Sequence, residues 1–145
     1  MKFIKPATMM FICAASMAIA HDGVANEAVK ARMDVMKTIG ASTGVMGKML
    51  QGKTEFDADA AAAAATAMAN AAAQIPTVFE ANETDPESEA SPEIWTNWDD
   101  FVAKGAALEM GAKALDTSSL DALKASFGGA AGTCKACHSK YRIQK

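Results

Sequence analysis

Residues 127–142 read FGGAAGTCKACHSKYR. Within them Cys134, Cys137 and His138 form a C-x-x-C-H pentapeptide, the attachment signal for a c-type haem. Each thiol can form a thioether to a haem vinyl group, and the imidazole can bind the iron. On a helical backbone residues at i, i+3 and i+4 share a face, so all three groups meet one porphyrin edge and its centre. Three other readings compete: a redox C-x-x-C, half of a zinc site, and a chance match near a chain end. The redox reading wants a βαβ pattern that the chain lacks. The zinc reading wants four ligands where, once a leader with Cys13 is removed, two cysteines, His138 and a distant His21 are at hand. The haem reading therefore leads, with one covalent haem c as the expected cofactor.

The motif sits in a longer helical period. Leu120, Leu123, Phe127, Ala131, Cys134, His138 and Tyr141 step by three or four along one stripe, and Ser118 or Ser119 supplies the cap. This predicts a last helix whose haem motif faces the core. Upstream, Ser91-Pro92-Glu93 opens a third helix with a cap, a proline at the first helical position and an acid in the first turn. Its expected seam is Ile94, Trp98, Phe101, Gly105, Leu108, Ala112 and Leu115. The segment 77–90 carries Glu80, Glu83, Asp85, Glu87 and Glu89 around Pro86, and reads as an exposed loop whose acidity serves solvation.

A second helix is expected after Thr54, with Asp57 three residues later as a capping-box-like start, an alanine-rich run containing Met68, and a stop at Pro76. Its few large side chains predict close packing through small ones. The first helix reads from about 24 to 50, with Val29, Met33, Met36, Gly40, Thr43, Gly47 and Leu50 as a single inward seam. Gly40, Gly44 and Gly47 each cost about 1 kcal/mol of helix propensity relative to alanine. That cluster predicts close approach of a neighbouring helix or of a bulky flat group.

The chain has 145 residues, of which 50% are apolar and only 6% aromatic, and alanine and methionine supply much of the apolar share. Such a composition favours helices over β-branched strands. Basic residues do not outnumber acidic ones and no Lys/Arg cluster stands beside aromatics, which sets nucleic-acid binding aside. The expected architecture is all-α, an antiparallel four-helix bundle with the haem inserted between helices near one end.

At the N-terminus Lys2 and Lys5 precede an apolar stretch over 7–20 that ends in Ala18-Ile19-Ala20, the pattern of a Sec-type signal peptide cleaved before His21. The stretch falls short of the roughly 18 to 20 residues of a spanning helix, and no membrane span is expected in the mature chain. Ile12 stands before Cys13 where lipidation needs a small residue. The domain organisation is therefore a cleaved segment over 1–20 and a haem-binding domain over 21–145. Removing Lys2 and Lys5 changes the net charge from −3 to −5.

The sequence resembles cytochrome c′ and its low-spin relatives, the class II cytochromes c. Ala31-Arg32 followed by Met36 carries the likeness, with Pro92-Glu93-Ile94-Trp95, and with Phe127-Gly128 leading to the haem motif and Tyr141-Arg142. The resemblance implies a periplasmic four-helix haem protein, often a homodimer. It implies Cys134 and Cys137 as thioether residues and His138 as the proximal iron ligand. Arg32 becomes a first-helix residue near the haem propionates, and Arg142 a cation beside the proximal imidazole. Met36, one turn after Arg32, falls where family members place the residue facing the distal side of the iron. Met33 is a second candidate ligand, while Met46, Met49, Met68 and Met110 read as core.

Two functions follow from that choice. Ligation by Met36 gives Met/His coordination, a raised reduction potential and an electron carrier that serves periplasmic redox partner proteins. A Met36 that only packs leaves a distal pocket open to small neutral gases such as nitric oxide or carbon monoxide. Met36-Lys37-Thr38-Ile39-Gly40 looks more like the low-spin branch, so electron transfer is favoured. No enzyme is expected: a peroxidase wants a distal acid/base, and the only other mature histidine is His21 at the terminus.

Overall fold

The computed structural model describes residues 23–143, and the expected signal peptide with its cleavage point lies outside them. Six helices follow in order: α1 Glu27–Leu50, α2 Ala58–Ala73, α3 Ile75–Phe79, α4 Glu93–Thr96, α5 Trp98–Lys113 and α6 Leu120–Tyr141. The four long ones close a ring, with α1 against α2 and α6, and α5 against α2 and α6. Short connections from α1 to α2 and from α5 to α6 make each pair antiparallel, and the result is the four-helix bundle that the periodicity predicts. No described helix is long and apolar enough to cross a membrane.

Local chemistry sets the helix ends. Asn26 caps α1 by accepting from the Val29 N–H at 3.0 Å, Asp57 caps α2 from Ala60 at 2.9 Å, and Ser119 caps α6 from Ala122 at 3.1 Å. At the far end of α1, Gly52 takes a left-handed φ of 68°. Lys53 N–H then donates to Lys48 and Gly52 N–H to Met49, the paired bonds of a Schellman stop.

Several expectations shift. The cap of α2 is Asp57 itself, not Thr54. Pro76 does not stop a helix: α2 ends at Ala73, and Pro76 lies in the first turn of α3, where its missing N–H leaves no bond unmade. The third helix is two, because Asn97 leaves helical geometry at φ −127° and ψ 44°. Its backbone N–H and its side-chain amide both take the Glu93 carbonyl, at 3.0 and 3.1 Å, which closes α4 before α5 begins.

The buried face of α1 is Val29, Arg32, Val35, Ile39, Ser42, Met46 and Met49, so past Val29 the expected seam is displaced by one residue. Met33, Met36 and Thr43 are half-buried beside that face. No helix closes on the glycines of α1, since a Cβ at Gly40, Gly44 or Gly47 would meet nothing within 4 Å. The close approaches are on α5, where a Cβ at Gly105 would lie 3.3 Å from Ile75 Cγ2 and one at Gly111 would lie 3.2 Å from Ala130 Cα.

Met46, Met49 and Met68 are buried as expected, and Ala61, Ala64, Ala65, Ala69 and Ala72 give α2 its tightly packed small-residue face. Met110 is not core: it is 65% exposed, because it lies on the side of α5 opposite Leu108 and Ala112. Leu120, in the first turn of α6, is 39% exposed, and Ala130 replaces Ala131 as the buried residue because it meets Gly111.

The acidic connection between α3 and α4 is more than a solvated loop. Asp85 is buried and accepts from the N–H groups of Ala25 at 3.0 Å, Asn26 at 3.1 Å and Glu87 at 3.0 Å. These donors, Glu87 foremost, hold its carboxyl below the usual carboxylate range. Farther on, Ser91 N–H donates to Tyr141 at 2.9 Å and Ile143 N–H to Glu89 at 2.8 Å, an antiparallel bridge between Ala90 and Arg142 that straps the loop to the end of α6.

Candidate haem site

Cys134, Cys137 and His138 occupy the last two turns of α6, on the stretch that the bridge to Ala90 holds in place. Both thiols are free and half-buried, packed against the hydrophobic core. Two cavities open beside them. The larger, of about 520 Å³, runs between α1, the 87–90 loop and the end of α6. The smaller, of about 260 Å³, lies between α1, α5 and α6, with Ile39, Gly40, Ile75 and Leu108 in its wall. Met36, Cys137 and His138 are the three residues that line both. Met36 on α1 and His138 on α6 therefore belong to the wall that the two cavities share.

His138, expected to face the core, is exposed as a residue while both cysteines are half-buried, yet desolvation of its imidazole, and then the nearby Arg142 cation, hold it below the ordinary imidazole value. Burial pushes the Cys137 thiol up, against the opposing field of Lys104. The donor set, two thiols and a neutral imidazole on one helical face beside a mostly apolar slot, fits a covalently held haem.

Around this centre the packing is specific. Arg32 is 3% exposed, and its Nε donates to the Val78 carbonyl at 3.1 Å, its Nη1 to Glu83 at 2.8 Å and its Nη2 to Ala81. The guanidinium carbon lies 5.2 Å from the Phe79 ring centre and 5.1 Å from that of Trp95. Trp95 Nε1 in turn donates to the Phe79 carbonyl at 2.8 Å. Arg32 is thus in the wall of the larger cavity, with its donors directed to backbone oxygens of the α3–α4 connection.

Arg142 is exposed beside His138 and pairs with Glu89, Nε to Oε2 at 2.6 Å. Tyr141 is buried, with its ring edge-on to Phe101 at 5.3 Å and its hydroxyl donating to Asp100 Oδ2 at 2.5 Å. That bond, helped by Lys140 at 3.1 Å, lowers Asp100 to about 2.

The sequence-derived candidates Cys134, Cys137, His138, Met36, Met33, Arg32 and Arg142 all border the two cavities, Cys134 only the smaller, and Met33, Arg32 and Arg142 only the larger. Sequence reasoning missed the 87–90 wall, the Arg142–Glu89 pair and Lys104. No periodic signal could have found them, since each depends on a contact between distant segments.

A family profile described as Cytochrome C′ matches residues 27–142. The chain belongs to the cytochrome c′ family. It is 37% identical over 119 residues to a cytochrome c-556 of Agrobacterium tumefaciens (strain apple 185), covering 79% of this chain and 94% of that one. The cytochrome c′ of Rhodopseudomonas palustris shares the fold with a TM-score of 0.77 and 29% identity, over 83% of this chain and 99% of that one. A variant of the cytochrome c′ of Alcaligenes xylosoxidans, solved as a nitric oxide complex, matches with a TM-score of 0.72 and 30% identity, over 82% of this chain and 95% of that one. Family members carry covalent haem c, and Cys134 and Cys137, in their C-x-x-C-H setting, are consistent with that attachment here.

Proposed function

We propose that this chain is a periplasmic electron carrier with Cys134 and Cys137 in thioether linkage, His138 as proximal ligand and Met36 as distal ligand. The observation that carries the reading is the shared wall: Met36, from α1, borders both cavities together with His138 and Cys137, whereas Met33 borders only the larger. When bound, haem c supplies a one-electron couple, and methionine with histidine as axial partners raises its potential. Everything else is work for the protein. The strap from Ala90 to Arg142 fixes the α6 turn that bears His138, and the Tyr141–Asp100 bond ties that turn to α5. Burial first, and then the Arg142 cation against the opposing charge of Glu89, hold the imidazole below its ordinary value. Arg32 forms part of the propionate-side wall, and its carbonyl bonds give that wall its shape.

Export follows from the N-terminal pattern, with cleavage before His21 leaving a domain over 21–145. Its partners are periplasmic redox proteins, and its assembly is a homodimer, as the family resemblance implies.

A second reading has one specific observation behind it, the relative of 30% identity solved with nitric oxide. In that reading Met36 only packs, and the slot takes nitric oxide or carbon monoxide. Visible spectra of the holoprotein, oxidised and reduced, before and after carbon monoxide, decide between the two. Low-spin bands with a methionine–iron charge-transfer feature, unmoved by the gas, are expected. Broad high-spin bands that shift with the gas would establish the second reading.

A further inference from the structure

Charge in this chain is segregated along the sequence, with a single acid, Asp121, in the first turn of α6. Every charged side chain from residue 54 to 103 is an acid, whereas from residue 122 to 143 every one is a base: Lys124, Lys135, Lys140 and Arg142. Two of these cations are spoken for. Arg142 pairs with Glu89, and Lys140 shares Asp100 with Lys104. Lys124 and Lys135 have no ion-pair partner within 4 Å among the described residues. Both are exposed, and the spacing 124, 128, 132, 135 puts them on one outward stripe of α6. Gly128 and Gly132 stand between them, and a Cβ at either would meet nothing within 4 Å, so the surface between the lysines is open and without relief.

The same helix carries Cys134 and Cys137, both half-buried. A haem tethered there would be held to α6 by its thioether edge. We propose that the outward face of α6 between Lys124 and Lys135 is the docking surface for a redox protein whose own docking surface is acidic. This rests on the electron-carrier reading above. The chain as a whole, at −5 once Lys2 and Lys5 are removed, repels acidic proteins at long range, so a local positive field does more than attract: it orients the partner so that only this face is approached. A second copy of this chain is a poor occupant, since a two-fold contact would set Lys124 and Lys135 against their own copies.

The test uses reduced holoprotein and ferricyanide, a trivalent anion, with the bimolecular oxidation rate followed from about 10 mM to about 300 mM ionic strength, where the Debye length falls from about 30 Å to below about 8 Å. The wild-type rate is expected to fall about tenfold with salt despite the negative net charge. Lys124→Glu with Lys135→Glu is expected to reverse the trend, and Lys48→Glu with Lys53→Glu, exposed cations at the end of α1, to preserve it. Poly-L-glutamate is expected to slow wild-type oxidation and to leave the α6 double variant unaffected.

A wild-type rate that rises with salt, or a trend that the α6 reversal does not move, overturns the proposal. So does a wild-type dimer that the α6 reversal alone dissociates, which would make this face a self-interface. Binding of the wild type to anionic phospholipid vesicles without inhibition by poly-L-glutamate would assign the face to a membrane and overturn it too. The absorption spectrum reports axial ligation independently, so a high-spin protein refutes the electron-carrier reading whatever the salt trend.

Discussion

The guanidinium carbon of Arg32 lies 5.2 Å from the ring centre of Phe79, inside the wall of the larger cavity. The charge is buried, yet carbonyls of the α3–α4 connection satisfy its nitrogens and two aromatic faces cover it. Arg32→Ala removes three charge-assisted bonds and the filling between the rings, and is expected to cost about 2–4 kcal/mol in denaturant unfolding of the holoprotein. Arg32→Lys keeps the charge but not the fork, and should fall between the two.

Asp85 gives stability a pH dependence. Its backbone donors hold the folded carboxyl below the value of the unfolded chain, so protonation favours unfolding. The contribution is complete above the ordinary carboxylate value, about 4, and is lost as pH falls through the depressed folded value. Thermal midpoints between neutral pH and pH about 3 should therefore drop less in Asp85→Ala than in the wild type, from a lower starting point at neutral pH. Parallel curves would show that the three N–H bonds are not formed in solution.

Tyr141 and Asp100 can be tested by titration. The phenol hydroxyl is the largest influence that lowers Asp100 to about 2. In Tyr141→Phe the carboxyl should titrate well above that, nearer the ordinary range, while Lys140 and Lys104 still hold it slightly low. Carboxyl NMR resonances followed against pH in the two proteins give the comparison.

Core and surface methionines should separate sharply. Met68 is 2% exposed between α2 and its neighbours, and Met68→Ala is expected to cost about 2–5 kcal/mol. Met110 is 65% exposed, and Met110→Ala should stay within about 0.5 kcal/mol of the wild type. Urea midpoints of the two holoproteins measure both.

These contrasts show where the sequence was readable. Ser119, Asp57 and the stripe of α6 carry their own caps and periodicity, so the bundle and the haem motif could be read directly. The register of α1 could not, because Met33, Met36 and Thr43 repeat with a helical period too, yet face the cavities while the adjacent Val35, Ile39, Met46 face fills the core. A period locates a stripe, not the thing it faces. The break at Asn97 is silent for a similar reason: Ile94, Trp98 and Phe101 keep helical spacing across it. Asp85 looked like one more solvated acid, because what sets it apart is the arrival of Ala25 and Asn26 from a segment 59 and 60 residues away.

The most direct test of the shared Met36 and His138 wall is a visible spectrum of Met36→Leu beside Met33→Leu and the wild type, each as ferric holoprotein and as ferrous protein under carbon monoxide. Met36→Leu alone is expected to lose the methionine–iron charge-transfer band, turn high-spin and bind the gas, while Met33→Leu keeps the wild-type spectrum. A Met36→Leu protein with an unchanged low-spin spectrum, or a wild type that is already high-spin, would contradict it.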